Sequence, residues 1–100
     1  MPFDRIVPHP LTAASVQTYA PAVSGVYGIS NAAEWIYIGE TDNIRGALLE
    51  HLQDRSAKVM KKEPTGFVCE VCDGLRRPAR HDRLIAEYGP ACNRQPSRYS

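Results

Sequence analysis

Two tyrosines and a histidine are the residues of this chain whose types and spacing could do proton-transfer chemistry. Tyr27 ends the string GVY at residues 25–27, Tyr37 opens the string YIG at residues 37–39, and His51 lies downstream. A phenol can act as a base only when a neighbouring cation or a metal-bound water lowers its pKa from about 10. Taken singly, the tyrosines also fit packing positions in a sheet, and His51 fits a half-buried helix position with a backbone partner.

Cysteine chemistry is a weaker alternative. Cys69 and Cys72 have the C-x-x-C spacing, and Cys92 with His81 could complete a four-ligand zinc set. The pair falls in a predicted strand, however, where residues three apart point to opposite faces, so we do not expect a zinc site. Three cysteines, an odd number, argue against a disulfide framework and fit a reducing compartment.

The composition is that of a small globular domain. With 100 residues, 43% of them hydrophobic and 23% charged, we expect one domain over residues 1–100, with a lead-in and short helix over 1–22. The net charge of +1 lacks the basic excess typical of dedicated nucleic-acid binders. No apolar run approaches the length of a membrane span and no leader is recognisable, so we expect a cytoplasmic protein, with its oligomeric state left open.

Two basic clusters interrupt this balance of charge. They are Arg76, Arg77, Arg80 and Arg83 in one stretch, and Lys58, Lys61 and Lys62 in another. Each cluster fits a solvated face and a phosphate-binding surface about equally well.

The elements that must position the tyrosines follow from local pattern. Strands are predicted over 25–30, 34–39 and 67–72, where β-branched and aromatic residues are frequent. Helices are predicted over 11–19 with Thr12 as N-cap, from Thr41 or Asp42 to 54, over 56–62, and from Pro78 to 89. The order predicts an α+β fold, with a small, mostly antiparallel three-stranded sheet flanked by helices.

From residue 25 to residue 93 the chain resembles the GIY-YIG nuclease superfamily. The resemblance rests on four anchors in the family's order, namely GVY at 25–27, YIG at 37–39, ETDNI at 40–44 and LIAEYGPACN at 84–93. It implies a GIY-YIG-like fold for this region.

The resemblance also implies an activity, the metal-dependent hydrolysis of a phosphodiester in DNA, with Mg²⁺ or Mn²⁺ as cofactor. In the family a tyrosine from the first two strands activates water, an arginine on the next helix steadies the phosphate, and a carboxylate on the last helix holds the metal. Tyr27 and Tyr37 match the two tyrosine positions, and His51 matches the histidine one turn after the arginine. Asn93 matches the family's late asparagine, which either helps hold the end of the site or satisfies backbone groups.

Two positions depart from the family pattern. The arginine position holds Ala47, whose methyl group cannot contact a phosphate, and the carboxylate position holds His81. A neutral imidazole adds no negative charge, and Mg²⁺ prefers oxygen ligands. Arg45 should point away from the site, while Asp82 and Glu87 miss the face of the last helix that carries His81.

These departures lead us to expect a catalytically impaired nuclease homologue. Its expected partner is either a nucleic acid, such as DNA, or another protein. One alternative is an active nuclease in which His51 and His81 hold a softer metal such as Mn²⁺, Ni²⁺ or Zn²⁺. The other is a protein-interaction module, which the near-zero net charge favours.

Overall fold

The computed structural model describes residue 3 and residues 7–54 and 57–94. Its elements, in chain order, are β1 His9–Pro10, α1 Ala13–Tyr19, β2 Gly25–Ser30, β3 Trp35–Thr41, α2 Ile44–Gln53, α3 Lys58–Lys61, β4 Gly66–Val71, α4 Arg77–Tyr88 and a 3-10 helix Ala91–Arg94. None of the described helices is both long enough and apolar enough to cross a membrane.

The sheet is antiparallel throughout, in the order β1-β4-β2-β3. The expected α+β class is confirmed, but the sheet has four strands where the sequence predicted three. The additional strand, β1, is two residues long and pairs with the start of β4. It comes from the proline-rich lead-in, in which Pro8 and Pro10 favour extended backbone that no local pattern marks as a strand.

The helices begin and end close to the predicted positions, with one change at the helix that carries His51. Thr12 caps α1 by accepting a hydrogen bond from the Ser15 N–H at 3.1 Å. The cap of α2 is Asn43, whose Oδ1 accepts from the Gly46 N–H at 3.0 Å, and neither Thr41 nor Asp42 has this role. Thr41 is still in β3, because this strand runs two residues past the predicted end.

The sheet separates two apolar clusters. One face packs against the first three helices and contains Ile29, Ile44, Leu48 and Phe67, each fully buried. The other face packs against α4. There Leu84 forms a buried cluster with Phe3, Val26, Ile38 and Val68. Because β2 lies between β3 and β4, its side chains are buried on both faces, and all six of its residues are buried.

A β-bulge in β3 brings Ile36 to the same face of the sheet as Tyr37. Ile29 pairs with Tyr37 and Ser30 pairs with Trp35, so Ile36 is the extra residue. As a result Ile36 and Tyr37 both pack on the α2 side of the sheet, while Trp35 packs on the α4 side. Bulges often re-aim a side chain in this way near functional sites.

Candidate active site

Tyr27, Tyr37 and His51 meet on the face of the sheet that α2 covers. Tyr27 Oη and His51 Nε2 are 2.9 Å apart and form a hydrogen bond. The ring of Tyr37 lies 6.1 Å from the ring of Tyr27 and 5.4 Å from that of His51, measured between centroids. The three aromatic side chains therefore form one group, which we call the Tyr-Tyr-His group.

The glycine of the YIG string makes room for this group. Gly39 lies opposite Tyr27 in the β2–β3 ladder, and a Cβ at residue 39 would lie 2.5 Å from the Tyr27 ring. The ring of Tyr27 therefore lies directly over the backbone of residue 39, an approach that only glycine permits. Gly25 has a similar role, since a Cβ there would collide with the Glu70 carbonyl oxygen and the side chain of Ile44.

Burial keeps the group uncharged near neutral pH. Burial raises the pKa of Tyr27 well above its usual 10, and negative charge on Tyr37 and Glu50 adds to the effect. Burial also raises the pKa of Tyr37, with further contributions from Cys92 and Glu40. Neither tyrosine thus receives from its protein neighbours the lowered pKa that a base would need.

The same burial favours the neutral form of His51 in the Tyr27–His51 hydrogen bond. Burial lowers the pKa of His51 below its usual 6.5, although the carboxylates of Glu50 and Asp54 oppose this effect. A neutral imidazole has one nitrogen that donates and one that accepts, and a phenol can do either. The imidazole tautomer therefore sets whether Tyr27 Oη or His51 Nε2 is the donor.

A pocket of about 250 Å³ opens beside Ala47, at the position where the resemblance expects an arginine. Its other lining residues are Tyr27, Glu50, His51, Asp54 and Ala57. Among the residues that the structure describes, two carboxylates and no lysine or arginine line this pocket, so these residues disfavour a phosphate group there. The pocket also borders the C-terminal end of α2, where the helix dipole adds partial negative charge.

Arg45 does not supply the missing cation to this pocket. Its Nε donates to the carbonyl oxygen of Ala20 at 2.8 Å, just past the end of α1. Its own backbone N–H donates to Pro21 O, also beside α1. The guanidinium therefore joins α1 to α2.

His81 contacts carboxylates rather than the Tyr-Tyr-His group. Its Nδ1 lies 3.7 Å from Glu40 Oε2 and 3.4 Å from Asp82 Oδ1. Glu40 is also held by Arg77, whose Nε lies 3.3 Å from Glu40 Oε1, while Arg77 Nη1 donates to Ser24 Oγ at 2.9 Å. The carboxylate that follows the YIG string is thus already neutralised by a guanidinium.

Asn93 fastens the 3-10 helix to the free edge of the sheet. Its Oδ1 accepts from the Ile38 N–H at 2.7 Å, and its Nδ2 donates to the Ile38 carbonyl at 3.0 Å. The side-chain amide thus pairs with β3 as a neighbouring strand would. Because Ile38 follows Tyr37, this pairing supports the strand at the tyrosine, and the contacts of Asn93 are structural.

Sequence reasoning did not include Glu40, Glu50 and Arg77 among the site residues. Glu40 directly follows the YIG string, so its position was a usable signal. Glu50 precedes His51 on α2, but nothing in the sequence shows that it lines a pocket. Arg77 was one of four clustered arginines, and only the packing of α4 against β3 brings it to Glu40.

Comparisons with known proteins agree on the fold. No family model matches the chain, and no curated protein matches it. Among solved structures, the GIY-YIG N-terminal endonuclease domain of UvrC from Thermotoga maritima, bound to its catalytic divalent cation magnesium, is 25% identical. That match has a TM-score of 0.66 and covers 78% of this chain and 94% of that chain.

Two point mutants of the same UvrC domain match in a similar way. One carries a tyrosine-to-phenylalanine change, with 23% identity, a TM-score of 0.67 and coverage of 80% of this chain and 96% of that one. The other carries an asparagine-to-alanine change, with 24% identity, a TM-score of 0.66 and coverage of 77% and 92%. The chain has the GIY-YIG fold.

The donor set of this chain does not fit the magnesium ion that the fold implies. His81 offers nitrogen where Mg²⁺ prefers oxygen, and the nearby Glu40 carboxylate is bound to the Arg77 guanidinium. Across residues 3, 7–54 and 57–94, no three side chains among His, Cys, Asp and Glu lie close enough together to bind a metal ion. Cys69, Cys72 and Cys92 are free thiols.

Proposed function

We propose that this protein is a catalytically impaired nuclease homologue that binds nucleic acid. The observation that carries the proposal is the pocket beside Ala47, which has the position of a phosphate site but is lined by Glu50 and Asp54. Removing one donor that stabilises transition-state charge costs about 10²–10³ in rate. Here the arginine position holds Ala47, and among the described residues of the pocket acidic groups border that position.

The protonation of the tyrosines supports the same conclusion. A phenol whose pKa is raised by burial is a poor base near neutral pH, because almost none of it is ionised. Arg77 at Glu40 and His81 at the carboxylate position add two further differences from a working magnesium site. Together these features support impaired hydrolysis.

A plasmid-nicking assay with Mg²⁺ and with Mn²⁺ tests the hydrolytic part. We expect no nicking above a no-protein control. Efficient nicking that Tyr27→Phe and His51→Ala abolish would contradict the proposal and favour an active nuclease with an altered site. Nicking that persists in both variants would indicate a contaminating nuclease, and the assay would be read again after further purification.

Fluorescence anisotropy with labelled DNA tests the binding part. We expect binding that weakens steeply as salt rises, because contacts to phosphates release counterions. An absence of binding at low salt would contradict this part and favour the protein-interaction module.

A further inference from the structure

A second pocket, with the opposite charge, lies between α3 and the 3-10 helix. It has a volume of about 420 Å³ and is lined by Lys58, Lys61, Lys62, Ala91 and Cys92. These three are all the lysines in the chain. We call this region the lysine pocket.

The lysine pocket lies next to Tyr37. Cys92 precedes Asn93, which is hydrogen-bonded to both backbone groups of Ile38. Cys92 also packs against the same apolar cluster as Tyr37, and a charge on its sulfur is close enough to raise the pKa of that tyrosine. The pocket therefore borders the Tyr-Tyr-His group.

Two of the three lysines of the lysine pocket, Lys61 and Lys62, are accessible to a ligand. Lys62 forms an ion pair of 3.8 Å with Glu34, but both side chains are about half exposed, so solvent and salt weaken the pair. Lys61 is exposed at the last position of α3. Lysines at the C-terminal end of a helix interact with the negative end of the helix dipole. Because α3 has only four residues, its dipole is small and leaves most of the lysine charge available to a ligand.

The two pockets differ in what they attract. Of the residues that the structure describes, those lining the pocket beside Ala47 include two carboxylates and no lysine or arginine, whereas those lining the lysine pocket include three ammonium groups and no carboxylate. An ammonium on a flexible stem is a point charge that suits phosphate oxygens without fixed geometry. A phosphate backbone that approaches the sheet edge is therefore drawn toward α3 and away from α2.

We infer that the lysine pocket binds the phosphate groups of a nucleic-acid backbone, so that the strand crosses α3 and the 3-10 helix beside Tyr37. The inference rests on the proposed function, because it assumes that nucleic acid is bound. It goes further by assigning the contact to a surface other than the pocket beside Ala47.

Lys61→Glu tests this assignment, with Arg83→Glu as a matched control. Both residues are exposed and both substitutions change the net charge by the same amount, but Arg83 lies on α4. We expect Lys61→Glu to weaken binding of a labelled DNA oligonucleotide about tenfold more than Arg83→Glu. We also expect the slope of log affinity against log salt concentration to decrease in magnitude by about 1, the value for the loss of one phosphate contact.

The outcomes separate the inference from the proposed function. DNA binding by the parent with equal effects of the two variants would overturn the inference alone. No DNA binding by the parent would overturn both. Thermal unfolding of each variant checks that the fold is retained.

Acetylation footprinting tests whether DNA covers the lysine pocket without any substitution in the protein. An amine-acetylating reagent reports on all three lysines in one mass spectrum, with and without the DNA oligonucleotide. We expect bound DNA to slow acetylation of Lys61 at least about fivefold, since a phosphate contact covers the amine. Unchanged acetylation of all three lysines under saturating DNA would overturn the inference.

Discussion

At the scale of single residues, one hydrogen bond joins the strand and the helix of the candidate site. Tyr27 Oη and His51 Nε2 are hydrogen-bonded at 2.9 Å, with Tyr27 buried and His51 half-buried. Burial disfavours the charged imidazolium and so lowers the pKa of His51. Protonation of His51 therefore costs the folded state solvation.

The stability of the protein should consequently depend on pH through His51. The pKa of His51 is lowered in the folded state, so below about pH 6.5 the unfolded chain binds a proton that the folded chain does not. The contribution of neutral His51 to the free energy of unfolding is fully present above pH 6.5. This free energy should fall as the pH drops through 6.5 toward the lowered pKa of His51. Urea unfolding at pH 7.5, 6.5 and 5.5 measures this fall.

His51→Gln is the control for this pH dependence, since an amide can accept from Tyr27 without titrating. His9 and His81 are present in both proteins, so their contributions cancel in the comparison. If the parent and His51→Gln lose stability equally between pH 7.5 and 5.5, the expected role of His51 is wrong.

At the scale of elements, the site depends on how β3 is held on its two sides. β2 pairs with one edge of β3, and the side chain of Asn93 occupies the other edge at Ile38. The regular pairing of Tyr37 with Ile29 places both side chains on the α2 face of the sheet. The neighbouring strand and the 3-10 helix thus hold the part of β3 that carries this tyrosine.

Asn93→Ala should release the 3-10 helix from β3. The change removes two hydrogen bonds to Ile38, so we expect the free energy of unfolding to fall by about 1–3 kcal/mol. We also expect the Ile38 amide, which donates to Asn93, to exchange its hydrogen at least about tenfold faster. Hydrogen exchange followed by NMR measures this directly.

Asn93→Asp provides the graded control, because a carboxylate can accept from the Ile38 N–H but cannot donate to its carbonyl. We expect an intermediate loss of stability. If the Ile38 amide exchanges at the parent rate in Asn93→Ala, the side chain does not hold this edge of the sheet.

At the scale of the whole molecule, the GIY-YIG fold is present while the charges around its site differ from those of a nuclease. The fold brings Tyr27, Tyr37 and His51 together and places Ala47 beside an acidic pocket. Positive charge lies instead on α3, in the lysine pocket. Under the proposed function, single side chains on this fold, and not the fold itself, oppose hydrolysis.

Restoring the two missing side chains should therefore restore activity. We expect the double variant Ala47→Arg with His81→Glu to nick plasmid DNA with Mg²⁺ at a rate at least about 10² above the parent. The arginine would supply a cation in the pocket, and the glutamate would supply an oxygen ligand on α4. A plasmid-nicking time course measures the rate.

Adding Tyr27→Phe to the double variant is the control, and it should abolish the restored nicking. If the folded double variant is as inactive as the parent, Ala47 and His81 are not the residues that impair hydrolysis. Glu50 and the Arg77–Glu40 pair would then be the groups to change next.

The sequence by itself determined the α+β class, the main strands and helices, and the identity of the residues in the Tyr-Tyr-His group. The strands and helices follow from strand propensity and helix caps, which act within a few residues of one another, whereas the resemblance to the GIY-YIG superfamily implied the three residues of the group. The short strand β1 escaped prediction because two extended residues become a strand only when β4 lies beside them.

Only the tertiary structure decided the chemistry of the site. The raised pKa values of the tyrosines depend on burial, the hold of Arg77 on Glu40 depends on how α4 packs against β3, and the acidic pocket depends on which face of α2 meets the sheet. Each of these effects joins residues far apart in the chain through distances of a few ångströms. Electrostatic energy depends on such distances and on local burial, which the order of residues alone does not contain.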